Sequence, residues 1–246
     1  MIAGRVPATL RTSIITGLLA AFVPFAAAAA GPPVIGGCKI APGTKCPGAD
    51  LEGADLYGAQ LRGADLSGAD LSGAHLYLAD LREADLSNAN LQGARLAGAR
   101  LKGAKLSGAD LSGVDLYDLE LSGLDLSGAD LSGADLGRAT LAHADLSGAD
   151  LSGSILFRAD LSRADLSNAD LSEAELSEAN LFGADLSGAD LAKTKLVGTG
   201  LVRTDLSGAV WIDGTRCAAN SLGACVPASD HLDKTSTVSG DALSKG

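Results

Sequence analysis

Residues 64–73 read ADLSGADLSG, and this five-residue unit sets the pattern of the chain from residue 49 to residue 210. Leucine occupies every fifth position from Leu51 to Leu206, 32 times in succession, and alanine stands two residues before it in 25 of those units. An amphipathic helix needs apolar residues about every 3.6 positions, and a half-buried strand needs them at every second position. A period of five fits neither, so it indicates a solenoid of short stacked units.

Within one unit, residues two apart in an extended piece point to the same side. Ala54 and Leu56 are therefore predicted to face inward, with Asp55 between them facing solvent. The Ser-Gly pair that follows is typical of a corner, and Gly53 or Gly58 can adopt a positive φ there at little cost. The unit is thus a short extended piece followed by a turn.

These residues resemble the pentapeptide-repeat family from 49 to 210. The resemblance implies an all-β fold, a right-handed quadrilateral β-helix with four units in each square turn. Coils of 20 residues would then stack into about eight turns. We number the coils from residue 49, so that coil 1 spans 49–68 and coil 8 spans 189–208. The four faces are named by their leucines: face 1 carries Leu51, face 2 Leu56, face 3 Leu61 and face 4 Leu66, each repeating every 20 residues.

The first 30 residues differ in composition from the repeats. Arg5 and Arg11 precede an apolar run over 14–25, and residues 26–30 offer small-residue cleavage sites. This pattern predicts a signal peptide over 1–30, a mature chain that starts near Gly31, and export to the periplasm or the medium without stable membrane insertion. The stretch 35–38 faintly resembles a lipoprotein cleavage box, but Pro32 and Pro33 separate it from the apolar run, which argues against lipidation.

The four cysteines lie in two pairs, one at each end of the repeats. Cys38 and Cys46 are eight residues apart, as are Cys217 and Cys225. Zinc sites use tighter cysteine spacings and usually histidine partners, so we predict a disulfide within each pair and no metal or other cofactor. Disulfide loops could seal the apolar ends in an oxidising compartment, with Trp211, which lies on the leucine period, covering the last layer. The predicted organisation is a cap segment over 31–48, the β-helix over 49–210, a second cap over 211–226 and a flexible tail over 227–246.

The four faces differ in how strictly they repeat. On faces 1 and 4 the residue before leucine is aspartate at all but two positions, Asn90 and Lys105, which both lie in coil 3, and serine follows every leucine of face 4. Faces 2 and 3 vary. Face 3 carries Arg62, Arg82 and Lys102 after its leucines, while Arg95 and Arg100 interrupt the acidic pattern in the middle of the array.

Aromatic residues gather at one position of the coil. Tyr57, Tyr77, Tyr117 and Phe157 all follow leucines of face 2, in a chain that is only 3% aromatic. Exposed aromatic rows often mark contact surfaces, which makes these four the candidate partner-contact residues. The alternative is that the large side chains stack along the coils and only stabilise them.

Two coils each replace three of the inward alanines. Val114, Leu119 and Leu124 replace alanine in coil 4, and their larger side chains should distort that coil. Thr194, Thr199 and Thr204 do so in coil 8, where their hydroxyl groups could bond to backbone.

Nothing in the sequence indicates an enzyme. Its serines and aspartates are repeated features rather than a converging group, and it contains no phosphate loop, nucleophile elbow or HExxH motif. The formal net charge of −11 argues against nucleic acid and anionic membranes as partners.

Three non-enzymatic functions remain. We favour an exported scaffold or protein-interaction module that acts on an unknown protein or envelope partner. The first alternative is an acidic DNA mimic that binds a topoisomerase, since the chain is similar to the pentapeptide-repeat proteins of fluoroquinolone resistance. The second is a weak cation or surface binder that uses the aspartate columns, with calcium as the natural ion.

Overall fold

A computed structural model describes residues 31–228 of the protein. The predicted signal peptide over 1–30 and nearly all of the predicted tail over 227–246 lie outside the described residues. Of the described part, no helix is long and apolar enough to cross a membrane.

The repeats form a square, right-handed β-helix, as predicted. Single residues of successive coils pair in parallel at a spacing of 20, as in Asp50 with Asp70 and Asp70 with Asn90. The pairing runs from Lys45 to Val210, and therefore begins a few residues before the expected start at 49. Where successive coils pair, the residue before a leucine typically donates to a carbonyl 21 residues earlier, and the leucine donates to a carbonyl 19 residues later. We call each resulting column of paired backbone a ladder.

Leucine and alanine fill the interior. Every leucine on the five-residue period from Leu51 to Leu191 is at most 3% exposed, and nearly all of the alanines two residues earlier are buried with them. The corner residues adopt the predicted left-handed conformation, with φ of +60° at Gly53 and +62° at Gly58. The same conformation persists at fourteen positions without glycine, including Leu78 at +57°. The stacked ladders therefore impose the turn even where the side chain disfavours it.

A small hairpin and a disulfide lie at the N-terminal end. Strand β1, Val34–Ile35, pairs antiparallel with strand β2, Cys38–Lys39. The Cys38 and Cys46 sulfur atoms are joined, with the Cα atoms 5.7 Å apart. Cys38 is buried at the end of the leucine column, so the disulfide ties the hairpin to the core.

The C-terminal segment folds back over the last coil. Val210 pairs antiparallel with Arg216, Asp205 pairs with Leu222, and a disulfide joins Cys217 to Cys225. Trp211 is partly buried against the core, and its backbone N–H donates to the Thr215 carbonyl at 2.7 Å. The segment covers faces 4 and 1 of coil 8, where Leu206 is fully buried, while Leu196 and Leu201 on faces 2 and 3 remain only partly buried.

Between coils 3 and 4 the ladder is interrupted. Pairing holds on face 1, between Asn90 and Asp110, and on face 4, between Lys105 and Asp125. On faces 2 and 3 the expected pairs of Arg95 with Asp115 and of Arg100 with Glu120 are absent from the described residues. This interruption lies beside the enlarged inward residues of coil 4, which confirms the predicted distortion.

The threonines of coil 8 have the opposite effect. Each hydroxyl donates to a carbonyl of coil 7: Thr194 to Leu171, Thr199 to Leu176 and Thr204 to Leu181, at 2.7–2.8 Å. Every expected pair between coils 7 and 8 is present. The predicted backbone bonds of the hydroxyl groups are confirmed.

Candidate interaction surfaces

The aromatic row on face 2 is exposed at its three tyrosines and more covered at Phe157. The exposed fractions are 66% for Tyr57, 38% for Tyr77 and 48% for Tyr117, whereas Phe157 is half-buried. Alanine or glycine occupies the same position in coils 3 and 5, so only Tyr57 and Tyr77 lie in adjacent coils. The row is a series of separate anchors rather than one continuous stack.

Two of the rings also pack on the coils. The Tyr117 ring rests on Gly137, where an added Cβ would come within 3.0 Å of it, and Arg138 lies 5.9 Å from the ring centroid. Arg158 lies 4.9 Å from the Phe157 centroid. These contacts fit the ladder-packing interpretation for Tyr117 and Phe157, although Tyr117 keeps 48% of its surface exposed.

Sequence reasoning missed three further apolar residues on this face. Leu78, Ile155 and Val197 are exposed large side chains of face 2. Each departs from the ADLSG consensus at its position, so a search for apolar departures in each 20-residue register would have found them. Together with the tyrosines they make face 2 the apolar side of the array.

The aspartates of faces 1 and 4 hold the turns together. The Asp65 carboxylate accepts from the Ser67 backbone N–H at 3.2 Å and from its hydroxyl at 2.7 Å, and the same contacts recur along the face. Hydrogen bonds from Ser72 lower the pKa of Asp70, and those from Ser87 lower the pKa of Asp85. The columns therefore have a structural role that explains why they vary so little.

The aspartate columns do not form a recognisable metal site. Among residues 31–228, no group of three or more His, Cys, Asp or Glu side chains converges closely enough to hold an ion. Calcium needs six to eight oxygen ligands around one point, whereas a column spreads its carboxylates one strand apart.

Face 3 carries a compact ionic cluster. Asp80 is buried and accepts two bonds from the Arg82 guanidinium, at 2.7 and 2.5 Å. An Arg100 nitrogen lies 3.9 Å from the same carboxylate. The Arg82 hydrogen bond lowers the pKa of Asp80 to about 2, against the opposing effect of burial. Asp80 is therefore ionised over the whole physiological range.

The geometry of the coils agrees with the comparison to known proteins. The family model for pentapeptide repeats matches eight copies over residues 43–73, 79–118, 120–156, 159–198 and 174–210, which is more than half of the chain. The chain is a member of the pentapeptide-repeat family. Among solved structures, this pentapeptide-repeat protein is similar to HetL of the cyanobacterium Nostoc sp. strain PCC 7120, which is involved in regulating heterocyst differentiation. The two are 33% identical over 70% of this chain and 91% of HetL, with a TM-score of 0.52.

Two other solved pentapeptide-repeat structures align less well. A protein from the thylakoid lumen of Arabidopsis thaliana is 30% identical over 44% of this chain and 85% of its own, with a TM-score of 0.26. The plasmid-mediated fluoroquinolone resistance protein QnrB1 is 23% identical over 70% of this chain and 84% of its own, with a TM-score of 0.32. No curated protein matches the sequence. The comparisons thus identify the family and the fold.

Proposed function

We propose that this pentapeptide-repeat protein is an exported, non-enzymatic interaction module whose face 2 binds a protein partner. One observation carries the proposal. Seven large apolar side chains of the coils are exposed, and all but Val202 lie on face 2: Tyr57, Tyr77, Leu78, Tyr117, Ile155 and Val197. Chance would spread such residues over four faces, and apolar side chains in water favour association.

The distribution of sequence variation supports the same face. Faces 1 and 4 repeat nearly one residue pattern for eight coils, and their aspartates stabilise the turns. Such a surface suits folding and solubility but distinguishes poorly between partners. Face 2 combines tyrosines with charged neighbours such as Arg95 and Lys195, and aromatic anchors of this kind often supply most of the binding energy of an interface.

Export is supported by the two disulfides. Stable disulfides form in oxidising compartments and are rare in the bacterial and eukaryotic cytosol. Both bridges tie an end segment to the core, and Cys38 is buried, so they have a structural role. Because the Cys38 sulfur is joined to Cys46, it is not free to carry a lipid.

Intact-mass measurement of the protein recovered from the cell envelope or the medium tests the export proposal. The expected product starts near Gly31 and weighs four hydrogens less than the reduced chain. A product that retains Met1, or one that carries a diacylglyceryl group on Cys38, would contradict the proposal.

The face 2 proposal is tested by comparing two matched variants as bait in an envelope extract. In the first, Tyr57, Tyr77 and Tyr117 are changed to serine together with Phe157. In the second, Ser67, Ser87, Ser127 and Ser167, at the same turn position on face 4, are changed to alanine. We expect wild type and the face 4 variant to retain the same partner, identified by mass spectrometry, and the face 2 variant to lose it.

Circular dichroism and thermal melting separate binding from folding in this experiment. If the face 2 variant unfolds, the aromatics serve packing and the proposal fails. A folded face 2 variant that still binds also contradicts it. Loss of binding on changing the face 1 and face 4 aspartates to asparagine would instead favour the acidic-mimic or cation-binding alternatives.

A further inference from the structure

The interruption between coils 3 and 4 opens a cleft on face 3. The cleft has a volume of about 400 Å³ and is lined by Arg82, Ala99, Arg100, Leu101, Lys102 and Glu120. A second space of about 360 Å³ adjoins it at Lys102, Glu120 and Ser122. Ala99 is only partly buried although it lies in the middle of the array, because coil 4 does not cover it. Small-molecule sites typically occupy about 300–1,000 Å³.

Backbone donors are left without partners at the same place. Eight N–H groups that the ladder would pair have no hydrogen-bond acceptor within residues 31–228: Gly93, Leu96, Gly98, Leu101, Gly103, Asp115, Glu120 and Asp125. Between coils with complete ladders the equivalent groups are bonded, as the Leu81 N–H is to the Arg100 carbonyl at 2.9 Å. Leu101 is among the unpaired donors and also lines the cleft. An unpaired N–H group gains a hydrogen bond when an acceptor binds beside it.

Charge is concentrated at this interruption. Coil 3 contains Arg95, Arg100, Lys102 and Lys105 and no acidic residue, in a chain whose net charge is −11. Three cations line the cleft, and only Arg82 is fully engaged, by Asp80. Arg100 reaches that carboxylate only at 3.9 Å, and Lys102 forms no ion pair with any described residue. Arg100 and Lys102 are therefore available to a ligand.

From these observations we infer that the cleft binds a small oxyanion with more than one charge, of the carboxylate or phosphate class. Arg100 and Lys102 supply charge-assisted hydrogen bonds, and the Leu101 N–H adds a neutral donor at the edge of the opened ladder. Arg82 is held by Asp80 and forms the fixed wall. Glu120 also lines the cleft and repels the anion, which limits affinity. The two available cations, Arg100 and Lys102, favour ligands with two or more charges. This site is separate from the aromatic row of face 2.

Titration calorimetry of the disulfide-bonded protein with citrate, pyrophosphate and inorganic phosphate tests the inference. We expect one citrate or pyrophosphate per chain, with inorganic phosphate binding more weakly. Citrate binding alone would identify a carboxylate site, and pyrophosphate binding alone a phosphate site. Binding of none of the three would overturn the proposal.

Two pairs of variants identify the residues. Arg100→Gln with Lys102→Gln should weaken binding at least about tenfold, equivalent to about 1.4 kcal/mol. The matched control, Arg158→Gln with Lys193→Gln, removes two cations from coils whose ladders are intact and should leave binding unchanged. Glu120→Gln should tighten binding severalfold by removing the opposing charge. Equal losses in the control, or no gain from Glu120→Gln, would show a general charge effect and contradict the cleft.

A third variant tests whether anion binding requires the open cleft in addition to the cationic side chains. Val114→Ala, Leu119→Ala and Leu124→Ala together restore the inward residues found in the continuous coils, while every lysine and arginine is kept. We expect the ladder to close, the Leu96, Leu101 and Gly103 amides to become protected from hydrogen exchange, and anion binding to be lost. Binding that survives in a variant with protected amides would mean that exposed cations suffice, and would overturn the proposal.

Discussion

Coils 4 and 8 each replace three inward alanines on faces 2, 3 and 4, yet only coil 4 separates from the coil before it. Coil 4 carries Val114, Leu119 and Leu124, and its ladders to coil 3 are missing on faces 2 and 3. Coil 8 carries three threonines, and its ladders to coil 7 are complete. The comparison shows that the inward small position controls how closely successive coils approach.

Both the size and the polarity of the side chain account for the difference. Leucine at 119 and 124 branches one carbon farther from the backbone than threonine and brings more volume into a column sized for alanine. Threonine adds less volume, and its hydroxyl bonds to a carbonyl of the preceding coil. On face 2, Val114 has nearly the shape of Thr194. Side-chain volume at this position therefore does not explain why the ladder is lost in coil 4 and kept in coil 8. The threonine hydroxyl and the neighbouring leucines of coil 4 must account for the difference.

The enlarged inward residues of coil 4 leave the leucine column almost filled. Nine leucines from Leu86 to Leu126 enclose a void of about 10 Å³ between the two coils, barely room for one water molecule. The added side-chain volume therefore keeps the core packed while the backbone opens outside it. Local opening of the backbone and a nearly filled core can thus coexist in one coil.

The largest expected effect comes from a charge placed inside coil 4. Leu126 is 1% exposed, and Leu126→Asp removes an apolar contact worth about 2–5 kcal/mol and buries an unpaired carboxylate. We expect it to abolish cooperative folding or lower the melting temperature drastically. Ser127→Asp, one residue later on the outer surface, should change the free energy of unfolding by less than about 1 kcal/mol. Similar melting temperatures would show that the inward and outward positions are reversed.

A reciprocal exchange tests whether leucine alone opens a ladder. Thr199→Leu and Thr204→Leu in coil 8 should separate it from coil 7 on face 3, where Asn180 now pairs with Gly200. The Gly200 amide, bonded to the Ala179 carbonyl at 2.9 Å, should then lose at least about tenfold in exchange protection, since its acceptor is withdrawn. Thr199→Ala with Thr204→Ala provides the control, with protection retained. An unchanged Gly200 amide in the leucine variant would show that side-chain volume does not explain the interruption.

A smaller effect is expected from removing one hydroxyl. Thr204→Val deletes the bond to the Leu181 carbonyl, which still accepts from the Ala184 N–H at 3.0 Å. Because that carbonyl remains bonded, the free energy of unfolding should fall by only about 1 kcal/mol. Chemical denaturation measures this difference, and a loss above about 3 kcal/mol would mean that the threonines hold the end of the array together.

The smallest effect concerns pH. The Arg82 hydrogen bond depresses the folded pKa of Asp80 to about 2, so its stabilising contribution is complete above the ordinary value of 3.8 and is lost as the pH falls toward 2. Arg82→Gln should raise the pKa of Asp80 toward or above the ordinary value and move acid destabilisation to higher pH. Carboxyl NMR titration checks the shift, with Arg158→Gln as the control. An unchanged Asp80 pKa would show that Arg82 is not its main partner.

Particular residues show how far the sequence could be read. The period of five predicted the inward leucines and the left-handed corners at Gly53 and Gly58, because every unit repeats the same local constraints. The square coils were implied by the resemblance to the pentapeptide-repeat family. Spacing by eight also predicted a disulfide at each end, where the structure has one. The sequence did not predict the exposed apolar residues Leu78, Ile155 and Val197, because they occupy three different positions of the five-residue unit and form no row. The partner-contact role of the tyrosines remains a prediction.

The sequence by itself determined the architecture, since a residue's place in the five-residue period fixes whether it faces the core, the solvent or a corner. It also indicated that coil 4 would be distorted. Only the tertiary structure decided where that distortion appears, because coil 4 keeps all four ladders to coil 5 and loses those to coil 3 on faces 2 and 3. That outcome depends on how two neighbouring coils share limited interior volume, and it brings Arg100, Lys102 and unpaired backbone donors of coil 3 to one opening. No single repeat contains this information, because it arises from contacts between residues about 20 positions apart.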